Sequence, residues 1–302
     1  MDYVIETSNL SKLYGDVQAV KDVSLQVKQG EIFGFLGLNG AGKTTTIRML
    51  LGMIRPSEGN VKMLGQALGP GGRGPWAHVG HLVESPSAYP ELTVKENLDI
   101  ARRLYGLKNP KAMDDVMEKL SIASYSKRKA GTLSLGNLQR LGLARAMIHN
   151  PGLLILDEPA NGLDPAGVVE IRELLADLAK SGVTVFMSSH ILTEVDRLAT
   201  RIGIIHKGQM IEDLDTEKLK KFRERQLEIK VRDVAKANSL LTRANYSATM
   251  NGDSILISDI RALETPDEIA RLLVNADTPP THLAIRQQNL EEHFMKLTGN
   301  TK

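Results

Sequence analysis

The chain has 302 residues, 42% hydrophobic and 25% charged, which is ordinary for a globular protein of one large or two moderate domains. Its formal net charge of +2 gives no reason to expect nucleic acid or an acidic substrate, and the lack of cysteine excludes disulfides, thiol catalysis and a cysteine metal site. No apolar run approaches the roughly eighteen residues a membrane span needs, and the opening residues carry no basic stretch followed by an apolar core, so no signal peptide is expected.

Alternating apolar and polar residues at 3–6 and again at 22–27 (Val23, Leu25, Val27) predict two half-buried strands, with a turn at Lys12-Leu13-Tyr14-Gly15 between them. The apolar run 31–36, bounded by glycines, predicts a buried strand. Residues 44–51, with Ile47, Leu50 and Leu51 at helical spacing, predict a helix. Between the two stands Gly37-Leu38-Asn39-Gly40-Ala41-Gly42-Lys43-Thr44, which fits G-x-x-x-x-G-K-[ST], the phosphate-cradling loop. Its glycines let successive backbone N–H groups turn inward around an anion, and the helix N-terminus adds its positive dipole end. Lys43 can reach the β- and γ-phosphates, and the Thr44 hydroxyl can ligate Mg²⁺. Gly37, Leu38, Asn39, Gly40, Ala41, Gly42, Lys43, Thr44 and Thr45 are therefore the candidate nucleotide-binding residues.

A turn at 55–59 leads into a strand at 60–64, and the breaker-dense loop 69–75 precedes Trp76 and a strand at 79–83. From 93 to about 150 the pattern is mostly helical. Thr93-Val94-Lys95-Glu96 is a capping box, a second helix closes at Glu118-Lys119-Leu120, and a third runs over 138–149 until Asn150-Pro151 ends it. Strand 153–156 then ends in Asp157 and Glu158. At the carboxyl end of a parallel strand these lie where an α/β sheet opens onto its ligand. There Asp157 can hold Mg²⁺, directly or through water, and Glu158 can polarise a water for attack on a γ-phosphate. Asp164 as N-cap and Pro165 open a helix striped with Val168, Ile171, Leu175 and Leu178, which Gly182 stops. A strand at 183–187 and a hairpin over 201–211, turning near Lys207-Gly208, follow. Strands alternating with helices indicate a mostly parallel α/β sheet.

The charged stretch 218–225 marks a boundary. Beyond it come a strand (227–231), a helix (235–243), a strand (246–250), a turn at Asn251-Gly252-Asp253, a strand (255–257), a helix (265–274), a strand (282–285) and a last helix (290–297). That is the ferredoxin-like order.

With both phosphate motifs in hand, residues 1–219 resemble the ATP-binding subunit of ABC transporters. That family carries a signature, LSGGQ, shortly before its acidic strand; here Leu133-Ser134-Leu135-Gly136-Asn137 places Ser134 23 residues before Asp157. The resemblance implies that Ser134, Gly136 and Asn137 contact the γ-phosphate held by an opposite subunit, with Leu135 and Asn137 departing from the family pattern. Tyr14 matches the aromatic that stacks on adenine, and Asn161-Gly162-Leu163-Asp164 resembles the loop that serves the dimer interface. His190, 33 residues after Asp157, matches the histidine that senses the γ-phosphate. Glu84 stands where the family usually has a metal-contacting glutamine. This exchange, and the tail at 290–299, look like the bacitracin-, lantibiotic- and drug-export branch.

The resemblance implies a P-loop ATPase fold of mostly parallel sheet with an antiparallel β region and a helical subdomain (about 85–150), followed by a small α+β domain at 220–302. It further implies ATP and Mg²⁺, with Glu158 and His190 catalytic and Thr44, Glu84 and Asp157 at the metal. The expected partners are a second ATP-binding subunit, in a homodimer, and an integral-membrane permease, at the cytoplasmic face of the membrane and without nucleic acid. An importer ATPase, or a soluble ABC ATPase acting in translation or DNA metabolism, is the alternative.

Overall fold

A computed structural model describes residues 3–69, 73–84, 86–223, 225–287 and 290–299. Pro70, Gly71 and Gly72 of the breaker-dense loop, Ser85 at the start of the helical subdomain and Glu224 of the charged stretch lie outside the described residues. The chain forms two compact units, Met1–Asp215 and Thr216–Lys302.

Strand β1 (Tyr3–Tyr14) runs through the residues expected to turn, and the turn falls at Gly15 instead. Leu13 and Tyr14 are exposed at the tip of a hairpin with β2 (Val17–Val23), so no apolar alternation marks them as strand. The single strand expected over 22–27 is two, because β3 (Gln26–Lys28) pairs with a different stretch of β1. Thr7 bridges the break: its buried hydroxyl donates to the Val23 carbonyl (3.0 Å) and accepts from the Leu25 N–H (2.9 Å). Next come β4 (Ile32–Leu36), α1 (Lys43–Leu50), β5 (Glu58–Met63), β6 (Gln66–Ala67) and β7 (Val79–Leu82). Strands β2-β1-β5-β6, with β3 also on β1, form an antiparallel sheet.

The helical stretch holds α2 (Val94–Leu104), α3 (Lys111–Lys119) and α4 (Leu135–Met147). Helix α2 opens on the capping box. The Glu96 N–H donates to the Thr93 hydroxyl (3.2 Å), and the Thr93 N–H and then its hydroxyl donate to the Glu96 carboxylate (2.7 Å each), which holds that carboxyl below its usual range. Helix α4 starts three residues before the expected 138, because the Ser134 hydroxyl caps the Asn137 N–H at 3.3 Å.

Strand β8 (Leu153–Asp157), α5 (Pro165–Lys180), β9 (Thr184–Ser189), α6 (Leu192–Leu198), β10 (Arg201–His206) and β11 (Gln209–Leu214) complete the first unit. Its second sheet has the order β11-β10-β4-β9-β8-β7, parallel except for the β10–β11 hairpin. Strands β4, β8 and β9 are buried on both faces, as continuous apolar runs in a covered parallel sheet require. Their alternate residues serve two cores. Phe33, Phe35, Ile155 and Phe186 pack with Ile47 and Leu50 of α1 and with the antiparallel sheet, and Phe33 stacks on Phe186 at 5.4 Å. Leu154, Leu156, Val185 and Met187 pack with α4 and α5. Each fully buried phenylalanine contributes roughly 1.5–3 kcal/mol.

Two glycines set close approaches here. A Cβ on Gly80 would lie 2.1 Å from the Ala146 carbonyl, so α4 rests directly on β7. At Gly34 a Cβ would lie 2.2 Å from Val195 of α6, a seven-residue helix with one buried residue and hence no periodic signal.

The second unit begins with α7 (Thr216–Arg223), so the charged stretch is helical as far as Arg223; Lys and Glu are good helix formers. It continues with β12 (Arg225–Lys230), α8 (Val234–Arg243), β13 (Ala248–Asn251), β14 (Ser254–Ile257), α9 (Ile260–Glu264), α10 (Pro266–Asn275), β15 (His282–Gln287) and α11 (Leu290–Thr298). The sheet order is β13-β14-β12-β15, all antiparallel, with α8 and α10 in the ferredoxin-like places and α9 as an unforeseen addition. Leu227, Ile229, Ile255 and Ile257 pack against Leu241, Ile269 and Leu273.

Candidate active site

Strand β4 runs into the glycine loop and α1 leaves it, so the loop is held between two buried elements. Gly40 and Gly42 take positive φ angles of 79° and 106°, which glycine adopts without steric cost. Gly37 is confined instead by its neighbours: a Cβ there would meet the Ile205 carbonyl at 2.6 Å. The loop walls a cavity of about 430 Å³, lined by Asn39 to Thr45 together with Val17, Gln18, Ala19, Glu158, Lys207 and Gly208.

The polar side chains of the site interlock. Lys43, buried at 6% exposure, donates to the Gly37 carbonyl (2.7 Å) and the Leu38 carbonyl (3.3 Å) and pairs with Glu158 Oε1 at 3.2 Å. The Thr44 hydroxyl donates to Asp157 Oδ2 at 2.7 Å, which joins the two phosphate motifs across 113 residues of chain. The second oxygen of Glu158 accepts from the His190 N–H at 3.3 Å and lies 2.8 Å from His190 Nδ1. Glu158 itself has φ of +51°, a left-handed conformation that places its side chain away from the line of β8. Burial, and behind it the charge of Glu158, pushes the nearby Glu194 carboxyl up from its usual range.

Six predicted residues stand apart from this cluster. Tyr14 is 47% exposed with Lys12 over its ring, and its register partner Val17, not Tyr14, lines the cavity. Glu84 turns to Arg48, one helical turn beyond Thr44 on α1, in a close ion pair, and both line a second cavity of about 490 Å³. Ser134, Gly136 and Asn137 lie at the first turn of α4; the Ser134 hydroxyl accepts from the Asn137 N–H, Leu135 beside them is 57% exposed, and none of them lines the Lys43 cavity. Asp164, of the loop expected at a dimer interface, caps α5 through the Gly167 N–H at 2.9 Å.

The sequence did not single out Ser188 or Gln139. Ser188 lies beside Asp157 and Glu158, and buried Gln139 of α4 donates to the carbonyls of Glu158 (3.4 Å) and Pro159 (3.0 Å). For Gln139 the signal was a polar side chain within the predicted helix 138–149, which says that a partner is needed but not which one; Ser188 falls just beyond the predicted strand 183–187 and carried no signal.

Comparison with known proteins agrees with this geometry. The family model described as ABC transporter matches residues 20–161. The bacitracin transport ATP-binding protein BcrA of Bacillus licheniformis is 40% identical over 99% of this chain and 98% of that protein. The lantibiotic transport ATP-binding protein SrtF of Streptococcus pyogenes is 34% identical over 69% of this chain and 89% of that one. Among solved structures, an ATP-binding subunit of an ABC transporter superposes with a TM-score of 0.64 at 29% identity, covering 70% of this chain and 89% of that chain. The chain belongs to the ATP-binding subunits of ABC transporters.

Proposed function

We propose that the protein hydrolyses ATP to power export of a drug or antimicrobial peptide through a separate membrane permease. The observation that carries this reading is the convergence of Lys43, Thr44, Asp157, Glu158 and His190 at one end of three buried parallel strands. The likeness to bacitracin and lantibiotic transport proteins supports the transport role and the substrate class.

Phosphates entering the cradle exchange with Glu158 for the Lys43 ammonium, and that frees the carboxylate to face a water. Glu158 accepts the proton of that water as it attacks the γ-phosphate, while His190 holds the carboxylate oriented. Thr44 and Asp157 offer hard oxygen donors of the kind Mg²⁺ takes, and would hold it there; when bound, the ion offsets charge on the β- and γ-phosphates. The outward-facing turn at Ser134, Gly136 and Asn137 completes the site of a second copy, so the working unit is a homodimer that closes on ATP and reopens after hydrolysis. Closure requires ATP to bind the closed state better than the open one.

The cavity lined by Arg48, Glu84, Leu104, Tyr105 and Arg145 receives the permease, which puts the chain at the cytoplasmic face of the membrane. Among the described residues no helix is long and apolar enough to cross it. The ATP-binding domain, with the helical subdomain at about 85–150, ends at Asp215 and not at the expected 219, which falls inside α7; the accessory domain begins at Thr216.

The test is Lys43→Ala in cells and in the complex copurified from membranes. Loss of both ATPase activity and resistance to a peptide antibiotic is the expected result. A variant that keeps full turnover, or a wild-type chain that never copurifies with a multi-span protein, refutes the reading.

A further inference from the structure

We propose that Ser188 is a positioning residue for both acids of the site, an inference that rests on the roles given above to Asp157 and Glu158. Ser188 sits near the end of β9, the strand between β4, which leads into the glycine loop, and β8, which carries the acids. It is the register partner of Asp157 on one side and of Phe35 on the other, and it is fully buried. Its hydroxyl donates to Asp157 Oδ1 at 2.5 Å and accepts from the Glu158 N–H at 3.1 Å. One oxygen atom thus contacts two consecutive residues with different tasks.

The consequences follow from what each contact leaves free. With Oδ1 of Asp157 engaged, Oδ2 is the oxygen turned toward Thr44, and the carboxylate cannot rotate without losing a buried hydrogen bond. Asp157 is 3% exposed, so solvent is poorly placed to replace the serine. At Glu158 the backbone is left-handed, a conformation that an L residue keeps only when its surroundings hold it. Ser188 holds the N–H of that residue while Gln139 holds its carbonyl. The result is a carboxylate aimed at Lys43 and His190 instead of continuing the strand. The next residue of β9, Ser189, accepts the Gly37 N–H on its carbonyl at 3.2 Å, so the same strand end also fixes the start of the glycine loop.

A serine that only filled space would leave metal affinity alone, and that separates the two roles. The experiment uses the full chain with Ser188→Ala, Ser188→Cys and Ser188→Thr, each in a Glu158→Gln background so that ATP is not consumed. Mn²⁺ binding in the presence of ATP is followed by electron paramagnetic resonance, and ATP affinity is measured separately in EDTA.

Ser188→Ala should raise the Mn²⁺ half-saturation about tenfold, the low end of what losing a partner of a metal ligand costs, with metal-free ATP affinity unchanged. Ser188→Thr should restore it, and Ser188→Cys, a weak donor of similar size, should fall between. Should the alanine variant fail to fold, the cysteine and threonine variants carry the comparison. Unchanged Mn²⁺ affinity in Ser188→Ala, beside an Asp157→Asn reference that loses it, overturns the role of Ser188 and leaves the wider reading intact. An Asp157→Asn reference that keeps Mn²⁺ affinity instead overturns the metal role of Asp157, and this inference with it.

Discussion

Replacing Glu158 by glutamine should tighten ATP binding while it stops turnover. Glu158 Oε1 lies 3.2 Å from Lys43 Nζ, and the two side chains are 21% and 6% exposed. At that separation and an effective dielectric of about 20, the bare attraction is about 5 kcal/mol. Desolvation and side-chain ordering offset most of it, and a hydrogen bond to a charged group nets about 1.5–3 kcal/mol. A phosphate entering the cradle must give up that pairing and then lie close to the carboxylate's negative charge. Glutamine removes both costs, and Lys43 still keeps the carbonyls of Gly37 and Leu38. We expect ATP affinity to rise about tenfold, equivalent to about 1.4 kcal/mol, and kcat to fall by about 10²–10⁴, the range of a lost general base. Calorimetric titration with ATP in EDTA measures the first, and phosphate release in Mg²⁺ the second. Equal or weaker ATP affinity in a folded variant would mean that Glu158 does not compete for Lys43. Undiminished hydrolysis would remove it as the base.

Gln139→Leu strips the donor from the Glu158 and Pro159 carbonyls in a buried place, and should cost about 1–3 kcal/mol in urea unfolding; a neutral result would mean that another donor replaces the amide. Gly37→Ala forces a methyl group onto the Ile205 carbonyl and should destabilise by about 1–3 kcal/mol and abolish nucleotide binding. Gly40→Ala meets open space and carries only the roughly 1–2 kcal/mol of a left-handed residue, so the two should rank in that order in thermal unfolding with and without ATP. Burial holds the His149 imidazole below its usual value, against the opposing Val79 carbonyl, with His81 and His78 adding to the depression and Tyr105 stacked on the ring at 3.7 Å. The unfolded chain then binds more protons at this position, so its contribution to stability falls as pH drops below about 6.5. Chemical denaturation of His149→Gln from about pH 7 to 5 should give a flatter curve than wild type.

What could be read from the sequence was what local chemistry dictates. The glycine loop announces itself because four constrained positions must follow one another in the chain, and Asp164-Pro165 marks a helix start through its own side chain. Ser188 and Gln139 were invisible for the opposite reason. Their partners are chosen by sheet order and by where α4 crosses β7, and nothing within several residues of either one encodes those choices. Leu13 and Tyr14 were read as turn because a hairpin tip exposes both faces and so erases the alternation a strand leaves. Position matching alone singles out Glu84, and its ion pair with Arg48 is a pairing across 36 residues that the sequence around it does not encode.

Because nothing but backbone separates Gly80 from the Ala146 carbonyl, the C-terminal end of α4 has a pivot at the sheet edge. Ser134, at the other end, lies twelve residues away, or about 18 Å of helix. A tilt of about 10° at that pivot swings the serine by about 3 Å, enough to make or break a hydrogen bond. A lever of this length lets a slight rearrangement beside β7 decide whether the exposed serine reaches anything at all.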